Sequence, residues 1–255
     1  MGRNLMFRRR ELLAYLMDNI KPKPSNQVRA VIFAQGRTGS TLLENLLCST
    51  GHFRNNGELL NTDNGRNEII FPAKYIRGLS KWERDSNFIF HVKIYQLTRD
   101  RKKPVDPTSF LRALNYDGFK IIALRRKNIV KHTLSNLVAQ HRGNYEKIDD
   151  KKEKLRLVVD CKEFSDAVKE RIGFSKEEKS VLANFEYHEV VYEDDLENSN
   201  SHQKTIDKIL DFLSLEKRKV TTKLRKVNTT PLEQLITNYD EFFNCIRKNG
   251  WEHYC

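Results

Sequence analysis

Residues 31–47 read VIFAQGRTGSTLLENLL, and the architecture of the whole chain can be argued from this run. It opens with a short apolar segment containing β-branched side chains, which is typical of a buried strand. Two glycines follow, Gly36 and Gly39, and then Ser40 and Thr41. The leucines after them recur at helical spacing, so the run predicts a strand, a tight turn and an amphipathic helix.

The turn in this run has the chemistry of an anion site, and we call residues 36–41 the cradle. Glycines let the backbone fold closely around a bulky anion, and the first N–H groups of a helix lack partners and point toward it. The helix dipole also favours negative charge there. Further donors come from the side chains of Arg37, Thr38, Ser40 and Thr41. We interpret the cradle as a phosphate-binding loop; a plain glycine turn is the alternative.

The cradle differs from the nucleotide-binding loop G-x-x-x-x-G-K-[ST] of P-loop kinases. Only two residues separate Gly36 from the next glycine, and no lysine precedes the Ser40-Thr41 pair. With its charge carried by Arg37, the loop resembles the 5′-phosphosulfate loop of sulfotransferases, whose pattern is roughly [KR]-[ST]-G-[ST]-T. A P-loop kinase acting on a small molecule is an alternative function, and it would need the lysine that this loop lacks.

Length and composition favour one sizeable α/β domain, because 38% of the 255 residues are hydrophobic. We expect an N-terminal helix and linker over residues 1–27 and a single domain over residues 28–255. The net charge of +12 favours an anionic partner such as a nucleotide, a nucleic acid, a glycan or an acidic membrane surface. No RNA-binding or helix-turn-helix signature accompanies the basic residues, so we expect no nucleic-acid partner. A non-catalytic basic protein that binds nucleic acid or membranes is the second alternative.

The cysteines and carboxylates predict neither a disulfide framework nor a metal site. Cys48, Cys161, Cys245 and Cys255 are widely separated, so we expect reduced thiols in a cytoplasmic protein. The three carboxylates at residues 193–195 are adjacent on one turn, which favours helix capping over a metal cluster.

The N-terminal segment is basic and then apolar. Residues 6–17 read MFRRRELLAYLM, and no apolar run in the chain approaches the roughly 18–20 residues that span a bilayer. We expect a surface helix here, with weak membrane-surface association at most.

Glu58 is the candidate catalytic base. Its carboxylate follows Gly57 one supersecondary step beyond the cradle, where it could take a proton from a hydroxyl; a surface glutamate in a turn is the alternative. The run NGELLN at residues 56–61 resembles the segment after the first helix in bacterial sulfotransferases that act on nodulation factors, lipopolysaccharides and glycolipids. In that family this glutamate is the general base, so the resemblance implies the same role for Glu58.

Two cationic residues interrupt the strand predicted at residues 88–95. Cations on a buried strand need a partner or sit at its solvent-facing end. The related enzymes have a lysine in a similar G-x-K-[LI]-x-Y context, which gives the hypothesis that Lys93 lies near the active site. For His91, a structural role in the core is an equal alternative.

A second anion site is predicted where the strand at residues 119–124 ends. Arg125 and Arg126 follow this strand, and ligands of open α/β sheets collect at the carboxyl ends of strands. Arginine suits a phosphate because its planar fork offers paired donors. With Asn128 as a helix cap and Ser135 on that helix, Arg126 fits a pattern that resembles the 3′-phosphate signature of sulfotransferases, R-x-N-x-x-x-x-x-x-S. A solvated arginine pair at a helix start is the alternative.

The resemblance runs from about Val31 to the C-terminus and implies fold, donor and reaction. The fold is α/β, a P-loop-like three-layer α/β/α arrangement around a mostly parallel sheet. The donor is 3′-phosphoadenosine 5′-phosphosulfate, held at both ends and used without a metal. The acceptor is a hydroxyl of a carbohydrate or glycolipid, and Arg37 has a catalytic role in stabilising charge at the bridging and 5′-phosphate oxygens. The identity of the acceptor and the oligomeric state are left open.

Three regions later in the chain give further structural expectations. The residue pattern at about 145–186 predicts a helical region with a break at Gly173, and the resemblance implies that this region shapes the acceptor site. A regular helix is predicted from Pro231 onward. A basic loop lies before this helix and contains Lys223, Arg225 and Lys226. Whether these three residues contact the cofactor is left open.

Overall fold

The computed structural model describes residues 2–20, 22, 26–62, 68–142, 156–224 and 231–254. The chain divides into two compact units, Met1–Arg125 with Glu177–Thr222 and Arg126–Lys176 with Lys223–Cys255. The strands in the described ranges are β1 (Arg29–Ala34), β2 (Phe53–Glu58), β3 (Asn87–Val92), β4 (Phe119–Arg125) and β5 (Tyr187–Val191). The α-helices are α1 (Gly2–Ile20), α2 (Ser40–Ser49), α3 (Pro72–Trp82), α4 (Ile94–Leu97), α5 (Pro107–Tyr116), α6 (Ile129–Arg142), α7 (Cys161–Leu182), α8 (His202–Phe212), α9 (Leu232–Leu235) and α10 (Tyr239–Lys248). A π-helical turn spans Tyr192–Leu196, and short 3₁₀ turns span Ser199–Ser201 and Glu252–Tyr254.

In the first unit the five strands form one sheet in the order β2-β3-β1-β4-β5, and each neighbouring pair is parallel. All six residues of β1 are buried. A central strand of a parallel sheet is covered on both faces, which explains its nearly unbroken apolar sequence. Because the carboxyl ends of parallel strands share one edge of the sheet, the cradle, Glu58 and Lys93 come to that edge from β1, β2 and β3.

Helices cover both faces of this sheet. On one face, Ala30, Ile32 and Ala34 of β1 belong to one buried cluster with side chains of α2 and α8. The alternate residues of β1 point to the other face, where α5 contacts β4 and α3 contacts α5. The predicted α/β class, with three layers around a parallel sheet, is therefore confirmed.

The helix α1 packs against α3. The surface helix predicted at residues 6–17 is therefore present, and it extends in both directions to Gly2 and Ile20. None of the described helices, α1 included, is long and apolar enough to cross a membrane.

The strand predicted at residues 88–95 ends three residues early, at Val92. The backbone N–H of Lys93 donates to the Gln96 side-chain oxygen at 3.0 Å, and the Gln96 N–H donates to the Lys93 carbonyl oxygen at 3.0 Å. These two bonds close a turn and start α4. Tyr95 therefore lies on a helical turn beyond the sheet.

The second unit contains α6, α7 up to Lys176, α9 and α10, which share one cluster of buried apolar side chains. Leu157 pairs with Ile236 in an isolated parallel bridge, and its N–H donates to the Leu235 carbonyl oxygen at 2.8 Å. The prediction of one regular helix from Pro231 is wrong, because this pairing takes the backbone out of the helix after Leu235. The chain re-enters helical structure as α10.

Cys161 and Cys245 form a disulfide in the second unit, with their Cα atoms 5.8 Å apart. The expectation of four reduced thiols is therefore wrong for this pair. Because 84 residues separate the two cysteines, their spacing gives no sign of a contact that only the packing of α7 and α10 creates. Cys48 is a free thiol, and Cys255 lies outside the described residues.

The helix α7 occupies much of the region at about 145–186, of which residues 143–155 lie outside the described residues. It runs unbroken from Cys161 to Leu182, so the prediction that Gly173 breaks the helical pattern is wrong. A single glycine inside a helix costs only about 1 kcal/mol relative to alanine, and the packing of a 22-residue helix readily outweighs it.

Candidate active site

The cradle joins β1 to α2, and its two glycines are required by the residues behind them. A Cβ atom at Gly36 would lie 2.4 Å from the hydroxyl oxygen of Tyr95. Gly39 has a φ of 95°, and a Cβ atom there would lie 2.9 Å from the ring of Tyr192. A side chain at either position would therefore displace an aromatic residue, and only glycine fits.

Two internal hydrogen bonds shape the loop before the helix begins. Thr38 is buried, and its hydroxyl donates to the Gln35 carbonyl oxygen at 2.7 Å. The Gly36 N–H donates to the Tyr95 hydroxyl oxygen at 3.0 Å. Arg37, between them, has a φ of 70°, and such left-handed non-glycine residues cluster at binding sites. Thr38 thus supports the loop, and the donors for an anion come from the residues after it and from the half-buried Arg37.

The start of α2 supplies those donors. Gly39 precedes the helix, and no side chain of the described residues caps it. The first intrahelical bond joins the Leu43 N–H to the Gly39 carbonyl oxygen at 2.9 Å, so the N–H groups of Ser40, Thr41 and Leu42 have no acceptor inside the helix. The hydroxyls of Ser40 and Thr41 lie in this same turn. The dipole of the helix adds to the attraction, and the site can hold a phosphate or sulfate group.

Glu58 lies beside the cradle and is joined to it through Lys93. Glu58 ends β2 and Lys93 follows β3, and these strands are parallel neighbours. The Nζ atom of Lys93 lies 2.8 Å from Oε1 of Glu58. The same Nζ atom lies 3.6 Å from the position that a Cβ atom would take at Gly36. One ammonium group therefore reaches both the candidate base and the wall of the anion site.

The other carboxylate oxygen of Glu58 is held by two amides. The Nδ2 group of Asn61 donates to Oε2 at 3.1 Å, and the Nε2 group of Gln96 donates to Oε2 at 2.8 Å. Both oxygens of the carboxylate are thus oriented by neighbouring side chains. A group held in this way has the fixed position that proton transfer from a bound hydroxyl requires.

Behind Glu58 lies a second, deeper carboxylate. Glu44 on α2 is 1% exposed, and its Oε2 lies 2.6 Å from Nδ1 of His91. Nε2 of His91 lies 3.3 Å from Oε1 of Glu58. Oε1 of Glu44 accepts the backbone N–H groups of Asn56 at 2.9 Å and Gly57 at 2.8 Å. Glu44 therefore anchors both the imidazole and the backbone that carries Glu58.

This anchoring has a local cause in the strand. The pairing of β2 with β3 shifts register between Asn55 and Glu58, and Gly57 adopts a φ of 61°. The irregularity turns two N–H groups away from the ladder, where they need another acceptor. Glu44 meets that need, and the bulge in turn aims the Glu58 side chain.

We call Glu44, Glu58, His91 and Lys93 the charged quartet. Burial alone would raise the pKa of Glu58, but the adjacent His91 and Lys93 cations outweigh it and lower that pKa to about 2. Burial alone would lower the pKa of His91, but its hydrogen bond to Glu44 and then the adjacent Glu58 carboxylate raise it to about 9. At neutral pH, Glu58 is therefore ionised and His91 is protonated.

Sequence reasoning identified Glu58 and left Lys93 and His91 open, but it missed Glu44. The signal for Glu44 was present in the periodicity of α2, since it stands four residues after Ser40 and three before Leu47, both on the buried side. A carboxylate on the inner face of a helix needs a partner. Naming that partner requires the pairing of β2 with β3, which local pattern does not contain.

The residues predicted to hold a 3′-phosphate lie in the second unit. Arg126 follows β4 and Ser135 lies on α6, and both are half-buried. Asn128 caps α6 as predicted, because its Oδ1 accepts the Lys131 N–H at 2.8 Å. Arg125 is paired with Glu189 of β5 at 2.7 Å. The claim that one ligand binds both Arg126 and the cradle stays a prediction.

The remaining basic and acidic candidates are less informative. Lys223 is exposed, and Arg225 and Lys226 lie outside the described residues. In the turn at residues 193–195, Oδ2 of Asp195 accepts the Val191 N–H at 2.7 Å, which is a capping contact. No group of three metal-ligating side chains occurs in the part of the chain that the structure describes.

No protein-family model matches the chain, and no curated protein matches it in sequence. Among solved structures it is similar to a sulfotransferase from Alicyclobacillus acidocaldarius, with 13% identity, 87% of this chain and 94% of that chain covered, and a TM-score of 0.49. It is also similar to the sulfotransferase domain from the curacin biosynthetic pathway, with 13% identity, 83% of each chain covered and a TM-score of 0.46. Likeness at this level assigns no activity, so function has to be argued from the site.

Proposed function

We propose that the chain transfers a sulfuryl group from 3′-phosphoadenosine 5′-phosphosulfate to a hydroxyl of a carbohydrate or glycolipid. The observation that carries the proposal is the position of Lys93, which lies 2.8 Å from the Glu58 carboxylate and 3.6 Å from a Cβ position at Gly36. An anion cradle and an oriented carboxylate with a cation between them suit group transfer from an anionic donor to a hydroxyl.

The cradle fits the 5′-phosphate end of such a donor. It offers the N–H groups of the first helical turn, two hydroxyls and a guanidinium, and its glycines let the backbone approach the anion closely. When bound, the donor supplies a sulfuryl group linked to the 5′-phosphate through a bridging oxygen. The N–H groups of the first turn of α2, with the hydroxyls of Ser40 and Thr41, hold the phosphate.

Arg37 and Lys93 neutralise the charge that develops on the phosphate oxygens. Arginine does this well but does not readily give up a proton. Lys93 carries a group that can both neutralise charge and donate a proton, and it reaches the wall of the cradle. We therefore assign Arg37 to electrostatic stabilisation and Lys93 to the leaving oxygen.

Glu58 removes the proton from the acceptor hydroxyl. With its pKa lowered to about 2 by His91 and Lys93, it is always ionised but a weak base. An anionic donor in the cradle competes for Lys93, and loss of that ion pair raises the pKa of Glu58 toward its ordinary value. The base therefore becomes stronger when the donor is in place, which ties proton removal to the loaded enzyme.

Arg126 and Ser135 bind the 3′-phosphate in this proposal. The support is their match to the sulfotransferase pattern and the chemistry of arginine toward phosphate. The carbohydrate or glycolipid acceptor follows from the resemblance of the segment around Glu58 to bacterial sulfotransferases.

Calorimetry tests the proposal against its rivals. The chain is titrated with adenosine 3′,5′-bisphosphate in the presence of a chelator and, separately, with ATP and magnesium. We expect the bisphosphate to bind tightly without metal and ATP to bind weakly. Tighter binding of ATP with magnesium would replace the proposal with a kinase, and no binding of either nucleotide would replace it with a non-catalytic protein.

Transfer itself is tested with labelled donor and a panel of glycolipid and oligosaccharide extracts. We expect label in one acceptor class, and its loss in the Glu58→Gln variant. Glu186→Gln is the matched control, since the side chain of Glu186 is 80% exposed and pairs with Lys120 at 3.9 Å. Equal transfer by both variants would reject Glu58 as the base.

A further inference from the structure

One face of α1 is fixed by polar contacts with α3 and with the segment just before it. Oε1 of Glu11 accepts the Ile70 N–H at 2.8 Å, and Asp18 pairs with Arg77 at 2.6 Å and with Lys81 at 3.0 Å. Between them, Ala14 is fully buried and its carbonyl carbon packs against Gly78, where a Cβ atom would lie 2.5 Å away. Contacts at positions 11, 14 and 18 lie on one side of a helix, so they fix its rotation about its own axis.

The side of α1 that faces away from α3 is apolar. Leu12 is 67% exposed, Leu16 is 47% exposed and Ile20 is 63% exposed. These residues recur every four positions, so they form one stripe along the helix. Met6 and Leu13 are also exposed and border the stripe. A surface helix usually turns its apolar side inward. In α1 the inward side carries the charged Glu11 and Asp18, and the outward side is apolar.

Arginines accompany this apolar stripe. Arg8 and Arg9 are exposed and Arg10 is half-buried, all within the first half of α1. The chain as a whole carries a net charge of +12. Pairing two copies of this face would bring the arginines of both chains into one interface, and the stripe of Leu12, Leu16 and Ile20 offers them no acidic partner, which opposes self-association. An anionic surface removes that conflict and attracts them instead.

We propose that the outer face of α1, defined by Leu12, Leu16 and Ile20 with Arg8 and Arg9, docks on an anionic lipid bilayer. The helix lies in the plane of the interface, with the apolar stripe among the upper acyl chains and the arginines at the headgroups. Since the polar contacts with α3 remain in place, the first unit sits on the membrane without unfolding. This inference does not depend on the proposed chemistry.

Vesicle sedimentation of the full chain tests the proposal. The vesicles are phosphatidylcholine alone, or equal parts of phosphatidylcholine and phosphatidylglycerol. We expect binding to the mixed vesicles that weakens as salt is raised, and little binding to phosphatidylcholine alone. Equal binding to both compositions, or binding to neither, overturns the proposal.

Substitutions locate the bound face. Leu12→Gln with Leu16→Gln should lower the vesicle partition coefficient by roughly tenfold or more, since two large apolar side chains leave the interface. Arg8→Gln with Arg9→Gln should weaken binding and flatten its salt dependence. The matched control is Val158→Gln, which replaces an equally exposed apolar side chain, 69% accessible, outside α1. This variant should bind as the unmodified chain does.

Two further measurements check that the variants fold and that the chain does not dimerise through this face. Circular dichroism of the variants should be unchanged, because the substituted side chains are exposed. Sedimentation velocity without vesicles should show no concentration-dependent dimer. A dimer abolished by the Leu12 and Leu16 substitutions would overturn the proposal and assign the face to a second copy of the chain.

Discussion

At the residue scale, the position of Glu58 is defined by side chains that come from three separate elements. His91 lies on β3 with Lys93 directly after it, Gln96 lies on α4, and Glu44 lies on α2. A carboxylate held through both oxygens has a fixed position and a fixed charge state, two things that a general base on a flexible loop lacks. The arrangement gives predictions that separate the role of each residue.

Replacement of Glu58 by glutamine should abolish transfer and spare donor binding. The amide keeps the shape of the side chain but cannot accept the proton, and general-base catalysis is worth about 10²- to 10⁴-fold in turnover. The measurement is single-turnover transfer beside calorimetry with adenosine 3′,5′-bisphosphate. A parallel loss of bisphosphate affinity would show that Glu58 acts on the donor site and not on the acceptor.

Replacement of Arg126 by alanine should weaken binding of the nucleotide that carries a 3′-phosphate. An arginine–phosphate contact is charge-assisted, and we expect a loss of roughly 10- to 100-fold for adenosine 3′,5′-bisphosphate. Adenosine 5′-phosphosulfate, which lacks that phosphate, serves as the internal control and should bind as before. Equal losses for the two ligands would refute the 3′-phosphate assignment.

The charged quartet predicts a bell-shaped dependence of stability on pH. The pKa of Glu58 is lowered from 4.5 to about 2, so its contribution is complete above 4.5 and is lost as pH falls through about 2. The pKa of His91 is raised from 6.5 to about 9, so its contribution is complete below 6.5 and is lost as pH rises through about 9. The free energy of unfolding, measured with urea at a series of pH values, should be highest and constant between pH 4.5 and 6.5.

The loss of stability at alkaline pH depends on Glu44 as well as on His91. Glu44→Gln replaces the carboxylate that contributes most to raising the His91 pKa, and we expect that pKa, followed by NMR, to fall toward its ordinary value. The variant should also lose about 1–3 kcal/mol of stability, because a buried hydrogen-bond network loses a partner. An unchanged His91 titration would mean that Glu44 only supports the backbone at Asn56 and Gly57.

At the element scale, the cradle depends on the close approach of α4 to the loop after β1. Gly36→Ala should place a methyl group against the Tyr95 hydroxyl, 2.4 Å from the new carbon, and should weaken binding of adenosine 3′,5′-bisphosphate. Tyr95→Phe in the same chain removes the obstructing oxygen and should restore part of the affinity. Failure of the double variant to recover any affinity would indicate that the loop needs the Gly36–Tyr95 hydrogen bond more than it needs space.

The elements that the sequence predicted well are those whose signals are local. The run from Val31 to Leu47 contains its own strand, turn and helix, because apolar spacing and glycine position are properties of neighbouring residues. The end of β3 was placed too late because the bond between the Lys93 N–H and the Gln96 side chain competes with the sheet. The bridge of Leu157 to Ile236 likewise ends α9, and it joins residues far apart in sequence. Long-range pairing is the part that periodicity does not encode.

At the scale of the whole molecule, the sheet explains why residues from distant parts of the first unit converge. All neighbouring strands are parallel, so every loop that follows a strand opens at the same edge. The cradle, Glu58 and Lys93 come from the ends of β1, β2 and β3, and their meeting required only the strand order. Glu44 joins them from beneath, because α2 packs under that edge.

The disulfide of the second unit carries the last prediction. Cys161 and Cys245 are 84 residues apart, and closing a loop of this length in the unfolded chain is worth about 4.5 kcal/mol by the chain-entropy model. Urea unfolding with and without dithiothreitol should therefore separate the second unit from the first, with only the second losing stability on reduction. Cys48 is the internal control, because it is a free thiol and should be labelled by iodoacetamide once urea unfolds the chain. Labelling of Cys161 or Cys245 by iodoacetamide in unreduced, urea-unfolded protein would contradict the bond, and a linked peptide pair in the digest would establish it. Such a bond persists in oxidising surroundings, so the same digest, made from freshly prepared cells with thiols blocked at lysis, also tests the expectation of a reducing cytoplasm.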